Sequence, residues 1–112
     1  MITIIQPLLN EETFYELKEK DELYVFVFSA NWCPDCVFIK PFMPELMNKY
    51  KDYKFIYVDR DQYIDICIQH EVLGIPSFIA YKNGEEKGRF VSKLRKTKQE
   101  IDEFLGGLQW NN

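Results

Sequence analysis

The feature that most limits how this chain folds is an apolar segment that leads into a turn with two cysteines. Residues 23–28 are apolar at nearly every position, which is the pattern of a central strand covered on both faces. The run Trp32-Cys33-Pro34-Asp35-Cys36 follows. Pro34 suits the first position of a helix, where its missing N–H costs nothing. The segment therefore predicts a strand, a tight turn and a helix that begins beside Cys33.

The spacing of Cys33 and Cys36 indicates thiol–disulfide chemistry. Two cysteines separated by two residues at such a turn can close a small disulfide. The amide groups and dipole at a helix start stabilise the thiolate of Cys33, which is the form that attacks disulfides. We expect Cys33 to be exposed and Cys36 to be buried. A structural disulfide and half of a zinc site are the alternatives, and Cys67 and His70 are the further residues that zinc would need.

Length, charge and cysteine content narrow the class of protein. The 112 residues, 46% of them hydrophobic, predict one domain over residues 1–112 with a packed core. A net charge of −4 gives no reason to expect nucleic acid or an anionic membrane as a partner. Three cysteines fit a reducing compartment, and the first residues lack the basic region of a signal peptide. We expect a cytoplasmic monomer.

Local signals place the first half of the secondary structure. Residues 2–5 predict a short first strand, and Asn10 is a candidate N-cap for a helix through Lys20. The helix after the cysteines carries Pro41 and Pro44, so we expect a kink or break near Pro41. Residues 55–58 predict a second core strand that ends at Asp59.

The second half of the sequence predicts a helix, a β-hairpin and a final helix. Ile64, Cys67, Ile68 and Val72 recur at helical spacing and predict one buried face, with Gly74 ending that helix. Asn83-Gly84 predicts a tight turn between strands over residues 77–81 and 87–91. Thr97 and Glu100 have capping-box spacing for a helix to about Leu105, stopped by Gly106-Gly107. The order βαβαβαββα predicts an α/β fold in which strands separated by helices pair in parallel and the hairpin adds an antiparallel pair.

Several separated motifs in this order resemble the thioredoxin family over nearly the whole chain. Ala30-Asn31-Trp32-Cys33 and Cys36 follow a core strand, with Pro41 five residues later. Val58-Asp59-Arg60-Asp61 closes the next strand, and Gly74-Ile75-Pro76 resembles the cis-proline loop of the family. Tyr81-Lys82-Asn83-Gly84 resembles its last hairpin. The implied architecture is a thioredoxin fold, with a central mixed β-sheet flanked by helices on both faces.

The resemblance also implies roles for the site residues. It implies that Pro76 is cis beside the cysteines, and that the Ile75 backbone is left to pair with an extended peptide substrate. Trp32 then shields the disulfide and contacts substrate, although it also suits a wall of the core. No bound cofactor is implied beyond the redox-active disulfide Cys33–Cys36.

The chain departs from the thioredoxin pattern at three places. The family's buried aspartate and its paired lysine are replaced by Val27 and Phe55, so the proposed proton relay for the second cysteine is missing. The dipeptide between the cysteines is Pro34-Asp35, which is similar to that of small thioredoxin-related oxidoreductases with narrow substrate choice. Ser92 stands where a glycine usually shapes the peptide groove. Broad substrate specificity is therefore not expected.

Other polar residues have two interpretations each. Asp35 either modulates the Cys33 thiol or is an ordinary acid of the first helical turn. Cys67 is interpreted as a buried small hydrophobe, with a regulatory thiol as the alternative. His70 is interpreted as a helix-end or surface residue, with a catalytic residue as the alternative. The basic cluster of Lys93, Arg95, Lys96 and Lys98 is interpreted as a solvated face. The alternative is that Lys93 attracts acidic targets or favours the thiolate.

These observations predict a dithiol–disulfide oxidoreductase that reduces protein or low-molecular-weight disulfides. A reductase flavoprotein or a low-molecular-weight thiol is the expected electron donor. The alternatives are a non-enzymatic binding module, or a redox-regulated partner-binding protein, that uses the surface of Trp32 and Pro76. A metal-binding protein is the third possibility, with Cys33, Cys36 and Cys67 as ligands.

Overall fold

A five-stranded sheet forms the centre of the molecule, and the computed structural model describes residues 5–108. The strands are β1 (Gln6–Pro7), β2 (Tyr24–Ser29), β3 (Lys54–Asp59), β4 (Ser77–Lys82) and β5 (Glu85–Phe90). The helices are α1 (Glu11–Lys18), α2 (Pro34–Ile39), α3 (Met43–Lys49), α4 (Ile64–Gln69) and α5 (Lys98–Gly107). The predicted order of elements is confirmed, with the second helix divided into α2 and α3.

The sheet is mixed and has the strand order β1-β3-β2-β4-β5. Strand β3 pairs in parallel with β1 and β2, whereas β4 is antiparallel to both β2 and β5. The expectation that helix-separated strands pair in parallel is therefore wrong for β4. Ser77 pairs with Phe28, so β4 begins at the end of the sheet where β2 finishes. The six-residue helix α4 and the loop after it return the chain to that same end.

Alternate residues of β2 face two separate apolar clusters. Val25 and Val27 pack with the buried faces of α2, α3 and α5, while Phe26 and Phe28 pack with those of α1 and α4. Both faces of the central strand are therefore covered, which explains why residues 23–28 are apolar without alternation. Each fully buried side chain of this kind stabilises the fold by about 1.5–3 kcal/mol.

The helix starts and the break follow the predicted local signals. The side chain of Asn10 accepts a hydrogen bond from the Thr13 amide at 2.8 Å. Thr97 and Glu100 form the full capping box. Helix α2 ends at Ile39 and α3 begins at Met43, which confirms the break near Pro41. Among the helices of residues 5–108, none has the length and apolar character needed to cross a bilayer.

The predicted helix before Gly74 differs in its end and in its buried face. Helix α4 ends at Gln69, five residues before Gly74. Its buried residues are Ile66 and Cys67, whereas Ile68 is 68% exposed. Apolar residues lie on all sides of this short helix, so spacing alone does not identify the side that packs against Phe28.

The two ends of the chain also differ from the prediction. Within the described residues the first strand is Gln6–Pro7, and residues 2–4 of the predicted strand lie outside them. The last helix continues through Gly106-Gly107, and Leu108 follows it with 1% exposure. Burial of Leu108 in the cluster below α5 outweighs the low helix propensity of the two glycines.

The predicted hairpin between β4 and β5 is confirmed. Asn83 and Gly84 occupy its turn with φ values of 53° and 79°, respectively. This pair of positive φ angles is typical of the tight turns that match the twist of antiparallel strands.

Candidate active site

Cys33 is the N-cap residue of α2, directly after the turn that follows β2. The Cys36 amide donates to the Cys33 Sγ atom across 3.4 Å. The Cys33 thiol in turn lies 3.8 Å from the carbonyl oxygen of Ile75, to which it donates. A sulfur placed at the first amides of a helix is in the position that favours its negatively charged form.

The two cysteines differ in burial, although less than predicted. Cys36 is 0% exposed, as expected, but Cys33 is only 7% exposed and not an open surface residue. The cause is Ile75, which packs against a small cluster of Ala30, Cys33 and Cys36. Cys33 still carries the outer of the two sulfurs, and both cysteines are thiols.

The environment of Cys36 holds its proton tightly. Burial and, to a lesser extent, the hydrogen bond with Cys33 raise the pKa of the Cys36 thiol to about 11. The hydroxyl of Ser29 and the backbone of Ala30 act in the opposite direction. At neutral pH Cys36 is therefore a thiol, and it must lose a proton before it can attack a disulfide.

The loop before β4 forms the wall opposite the cysteines. Its Ile75–Pro76 peptide bond is cis. Gly74 was predicted to end a helix, but it lies instead against the backbone after β5. A Cβ atom at Gly74 would come within 2.7 Å of the Lys93 Cα atom, and closer still to the Ser92 carbonyl oxygen. Glycine is thus required for this loop to approach the Ser92 segment.

Trp32 lies on the surface beside Cys33 and is 60% exposed. Its indole N–H donates to the Asp61 carboxylate at 2.5 Å. The guanidinium of Arg60 lies 5.2 Å from the centre of the ring. Sequence analysis placed Arg60 and Asp61 only at the end of a strand, and their role in holding Trp32 was missed.

Asp35 is paired with a residue far along the chain. Its carboxylate accepts a hydrogen bond from Arg95 at 2.9 Å, and the guanidinium of Arg95 lies 4.5 Å from the centre of the Phe38 ring. The motif between the cysteines is therefore linked to the segment after β5. No local pattern in the sequence identified Arg95 as this partner.

The interpretation of the basic cluster as a solvated face is wrong for Lys96, which is 1% exposed. Its ammonium group donates to the carbonyl oxygens of Ser92 and Leu94, each at 3.1 Å. Burial lowers the pKa of Lys96, while the negative charge of Asp35 acts against that change. The carbonyl groups and the nearby Phe90 ring compensate for the loss of water around the ammonium.

Cys67 and His70 lie on the opposite face of the sheet. Cys67 is buried, which raises the pKa of its thiol to about 11. His70 closes α4, and its Nδ1 atom lies 2.8 Å from the carbonyl oxygen of Ile66. The predicted burial of Cys67 and the helix-end position of His70 are confirmed. Within residues 5–108, no group of three or more histidine, cysteine or acidic side chains is arranged to hold a metal ion.

Comparison with known proteins identifies the family. The family model described as Thioredoxin matches residues 5–106. The chain belongs to the thioredoxin family. A thioredoxin of Rattus norvegicus is 43% identical over 108 residues, covering 93% of this chain and 99% of that protein. A thioredoxin of Callithrix jacchus is 36% identical over 106 residues, covering 91% of this chain and 100% of that protein.

Solved structures agree with this assignment. The crystal structure of a thioredoxin from Trypanosoma brucei brucei matches with a TM-score of 0.85 at 24% identity, covering 98% of this chain and 95% of that one, and shows the shared fold. Mitochondrial thioredoxin 3 of Saccharomyces cerevisiae, in its oxidized form, matches with a TM-score of 0.74 at 27% identity over 88% and 93% of the two chains. With its CxxC pair, this thioredoxin-family protein is a dithiol–disulfide oxidoreductase.

Two residues with hydroxyl groups lie beside Cys36 in this thioredoxin-family protein. Val27 and Phe55 are buried in the apolar cluster under α2 and bring no ionisable group to it. Ser29 and Tyr57 instead line a cavity of about 250 Å³ together with Cys36. Sequence analysis missed both residues. A signal was present, since Ser29 ends a strand that is otherwise aliphatic and aromatic, and Tyr57 carries a hydroxyl in a core strand.

Proposed function

We propose that Cys33 attacks the substrate disulfide and that Cys36 resolves the mixed disulfide. The Cys33 thiolate bonds to one substrate sulfur, and the other sulfur leaves as a thiol. The Cys36 thiolate then attacks the Cys33 sulfur and expels the second substrate thiol. The substrate gains two electrons and two protons, and the protein is left with a Cys33–Cys36 disulfide.

The observation that carries this assignment is the contrast between the two sulfurs. The Cys33 sulfur is at the helix start and accepts the Cys36 amide at 3.4 Å. Cys36 is wholly buried, and its thiol has a pKa of about 11. The outer, hydrogen-bonded sulfur is suited to the first attack, and the inner one is suited to the second.

We propose that Trp32, Ile75 and Pro76 bind the substrate around Cys33. The Ile75 carbonyl oxygen lies 3.8 Å from the Cys33 sulfur, so an extended peptide that pairs with this backbone brings its disulfide to the thiol. Pro34 sets the start of α2, and Asp35 modulates the thiol through its charge and its pair with Arg95.

We propose that the substrates are protein disulfides or disulfides of low-molecular-weight thiols, and that a flavoprotein reductase or a low-molecular-weight thiol returns the electrons. The protein then acts as a cytoplasmic monomer in redox homeostasis, with no bound cofactor and no nucleic acid or membrane partner. The net charge of −4 and the use of only three cysteines support this proposal.

Reduction of insulin by dithiothreitol, followed as turbidity, tests the assignment of the cysteines. We expect Cys33→Ser to abolish the acceleration and Cys36→Ser to accumulate a covalent mixed disulfide that mass spectrometry identifies. Cys67→Ser is the matched control, since this thiol is buried on the other face of the sheet, and it retains activity. Accumulation of the mixed disulfide in Cys33→Ser instead of Cys36→Ser would reverse the roles.

A further inference from the structure

The second step of the reaction has no obvious proton acceptor in this chain. Cys36 must lose a proton to attack, yet it is wholly buried. The two positions that carry the ionisable relay in the thioredoxin pattern are the buried apolar residues Val27 and Phe55. The proton of Cys36 therefore needs another route to solvent.

A cavity beside Cys36 supplies the space for that route. Its volume is about 250 Å³, and since one water molecule occupies about 30 Å³ in the liquid, it has room for several. Ser29, Tyr57 and Cys36 line it together with residues that are mostly apolar. Lys40, an exposed residue, also lines it, so the cavity reaches the surface beside α2.

The register of the sheet brings the two hydroxyl residues together. Tyr57 of β3 pairs directly with Val27 of β2. Ser29 lies two residues beyond Val27 and therefore points to the same face. Ser29 is 4% exposed, so its hydroxyl is available to neighbours within the protein rather than to bulk solvent.

The hydroxyl of Tyr57 is buried and has no hydrogen-bond partner among residues 5–108. A buried polar group in this situation costs about 1–3 kcal/mol, so a phenylalanine is the more stable choice at this position on packing grounds. Burial raises the pKa of Cys36 and of Tyr57, and the Ser29 hydroxyl acts in the opposite direction on both. All three residues line the same cavity, with Ser29 and Tyr57 on the sheet face that also carries Val27.

We propose that Ser29 and Tyr57 form a hydroxyl relay that carries the proton of Cys36 into the cavity during resolution. The Cys36 proton passes to the Ser29 oxygen, the Ser29 proton passes to Tyr57, and the Tyr57 proton passes to water in the cavity. The Ser29 O–H then donates to the new thiolate, which bonds to the Cys33 sulfur while the substrate thiolate leaves. This relay rests on the proposed role of Cys36 as the resolving thiol.

Reaction of the reduced protein with dithiobis(nitrobenzoate) separates the two steps. Attack by Cys33 releases one coloured thiolate at a rate that depends on reagent concentration, and resolution by Cys36 releases a second at a rate that does not. In stopped-flow measurements we expect Ser29→Ala and Tyr57→Phe to keep the first rate and to slow the second about tenfold, the size of one hydrogen bond to a charged group.

Tyr63→Phe is the matched control for Tyr57→Phe. It also removes one buried hydroxyl, but that hydroxyl donates to the Leu8 carbonyl oxygen at 2.9 Å, in the cluster on the other face of the sheet. We expect Tyr63→Phe to lower the free energy of unfolding and to leave both rates unchanged. Tyr57→Phe does the reverse, keeping or raising stability while slowing the second step.

A double variant that restores a carboxylate tests the relay further, because a new proton acceptor would not compensate for the loss of a purely structural role of Tyr57. Val27→Asp added to Tyr57→Phe places an acceptor directly across from position 57, and we expect it to recover the second rate. A wild-type second rate in both Ser29→Ala and Tyr57→Phe, with native near-UV circular dichroism, would overturn the relay alone. Absence of the first phase in the unaltered protein would overturn the role of Cys33 and the relay with it.

Discussion

Val27→Asp introduces a carboxyl group into the wall of the cavity beside Cys36. Val27 is 3% exposed and packs between the sheet and α2. Removing its apolar side chain from the core costs about 2 kcal/mol. Ionising the new carboxyl there costs more, because the hydroxyls of Ser29 and Tyr57 replace only part of its hydration.

The cost of losing the apolar side chain does not depend on pH, whereas the cost of ionising the new carboxyl does. We expect burial to raise the pKa of the introduced carboxyl by about 2–3 units above its unfolded value of about 3.9. At about 1.4 kcal/mol per unit, ionisation costs a further 3–4 kcal/mol or so. A folded-state pKa above the unfolded one gives stability that is present at low pH and lost as pH rises. The variant is therefore about 2 kcal/mol less stable than the parent near pH 4 and about 5–6 kcal/mol less stable near pH 8.

Urea unfolding of both proteins at the two pH values measures this difference. A destabilisation that does not change with pH would show that the cavity solvates the carboxyl and would refute the burial argument. The same variant tests whether the missing base limits the reaction, because a carboxylate at this position accepts the Cys36 proton directly. Unchanged or slower turnover in a folded variant would contradict that claim.

Two further predictions concern the charges and the loop around Cys33. Asp35→Asn leaves Arg95 unpaired and should speed alkylation of Cys33 at neutral pH severalfold, whereas Arg95→Gln should slow it; equal rates in both would refute an electrostatic role. Their effect on stability stays below about 1 kcal/mol, since the pair is partly exposed. Gly74→Ala should lower the free energy of unfolding by about 2–4 kcal/mol and impair insulin reduction, because the new methyl meets the backbone near Ser92. Thermal unfolding measures this against Gly107→Ala, where a Cβ meets nothing within 4 Å and no loss is expected.

Short sequence patterns were sufficient to predict where most of the helices and the hairpin turn begin. The Asn10 cap, the capping box at Thr97 and the Asn83-Gly84 turn each depend on atoms within a few residues of one another. The break near Pro41 follows likewise from the chemistry of proline itself. Because the thioredoxin motifs combine several such signals, the architecture and the cysteine pair were predictable from the sequence.

Features that depend on packing between distant segments were not predictable in the same way. The direction of β4 depends on where the chain re-enters the sheet, and the exposure of Ile68 depends on which side of α4 meets the core. Lys96 is buried because two carbonyl groups of its own loop face it. The placement of both Ser29 and Tyr57 beside Cys36 depends on the β2–β3 register, which no local pattern specifies.

The two edges of the sheet have a consequence for association between molecules. Within the described residues, β1 contributes two residues to its edge, and one of them is Pro7, which has no N–H to offer an incoming strand. At the other edge, β5 carries Glu85, Glu86, Lys87 and Arg89 in six residues. Short strands, proline and charge are the features that discourage one sheet from extending into another. The protein can therefore contact its disulfide substrates repeatedly without forming an extended β-sheet with them at either edge.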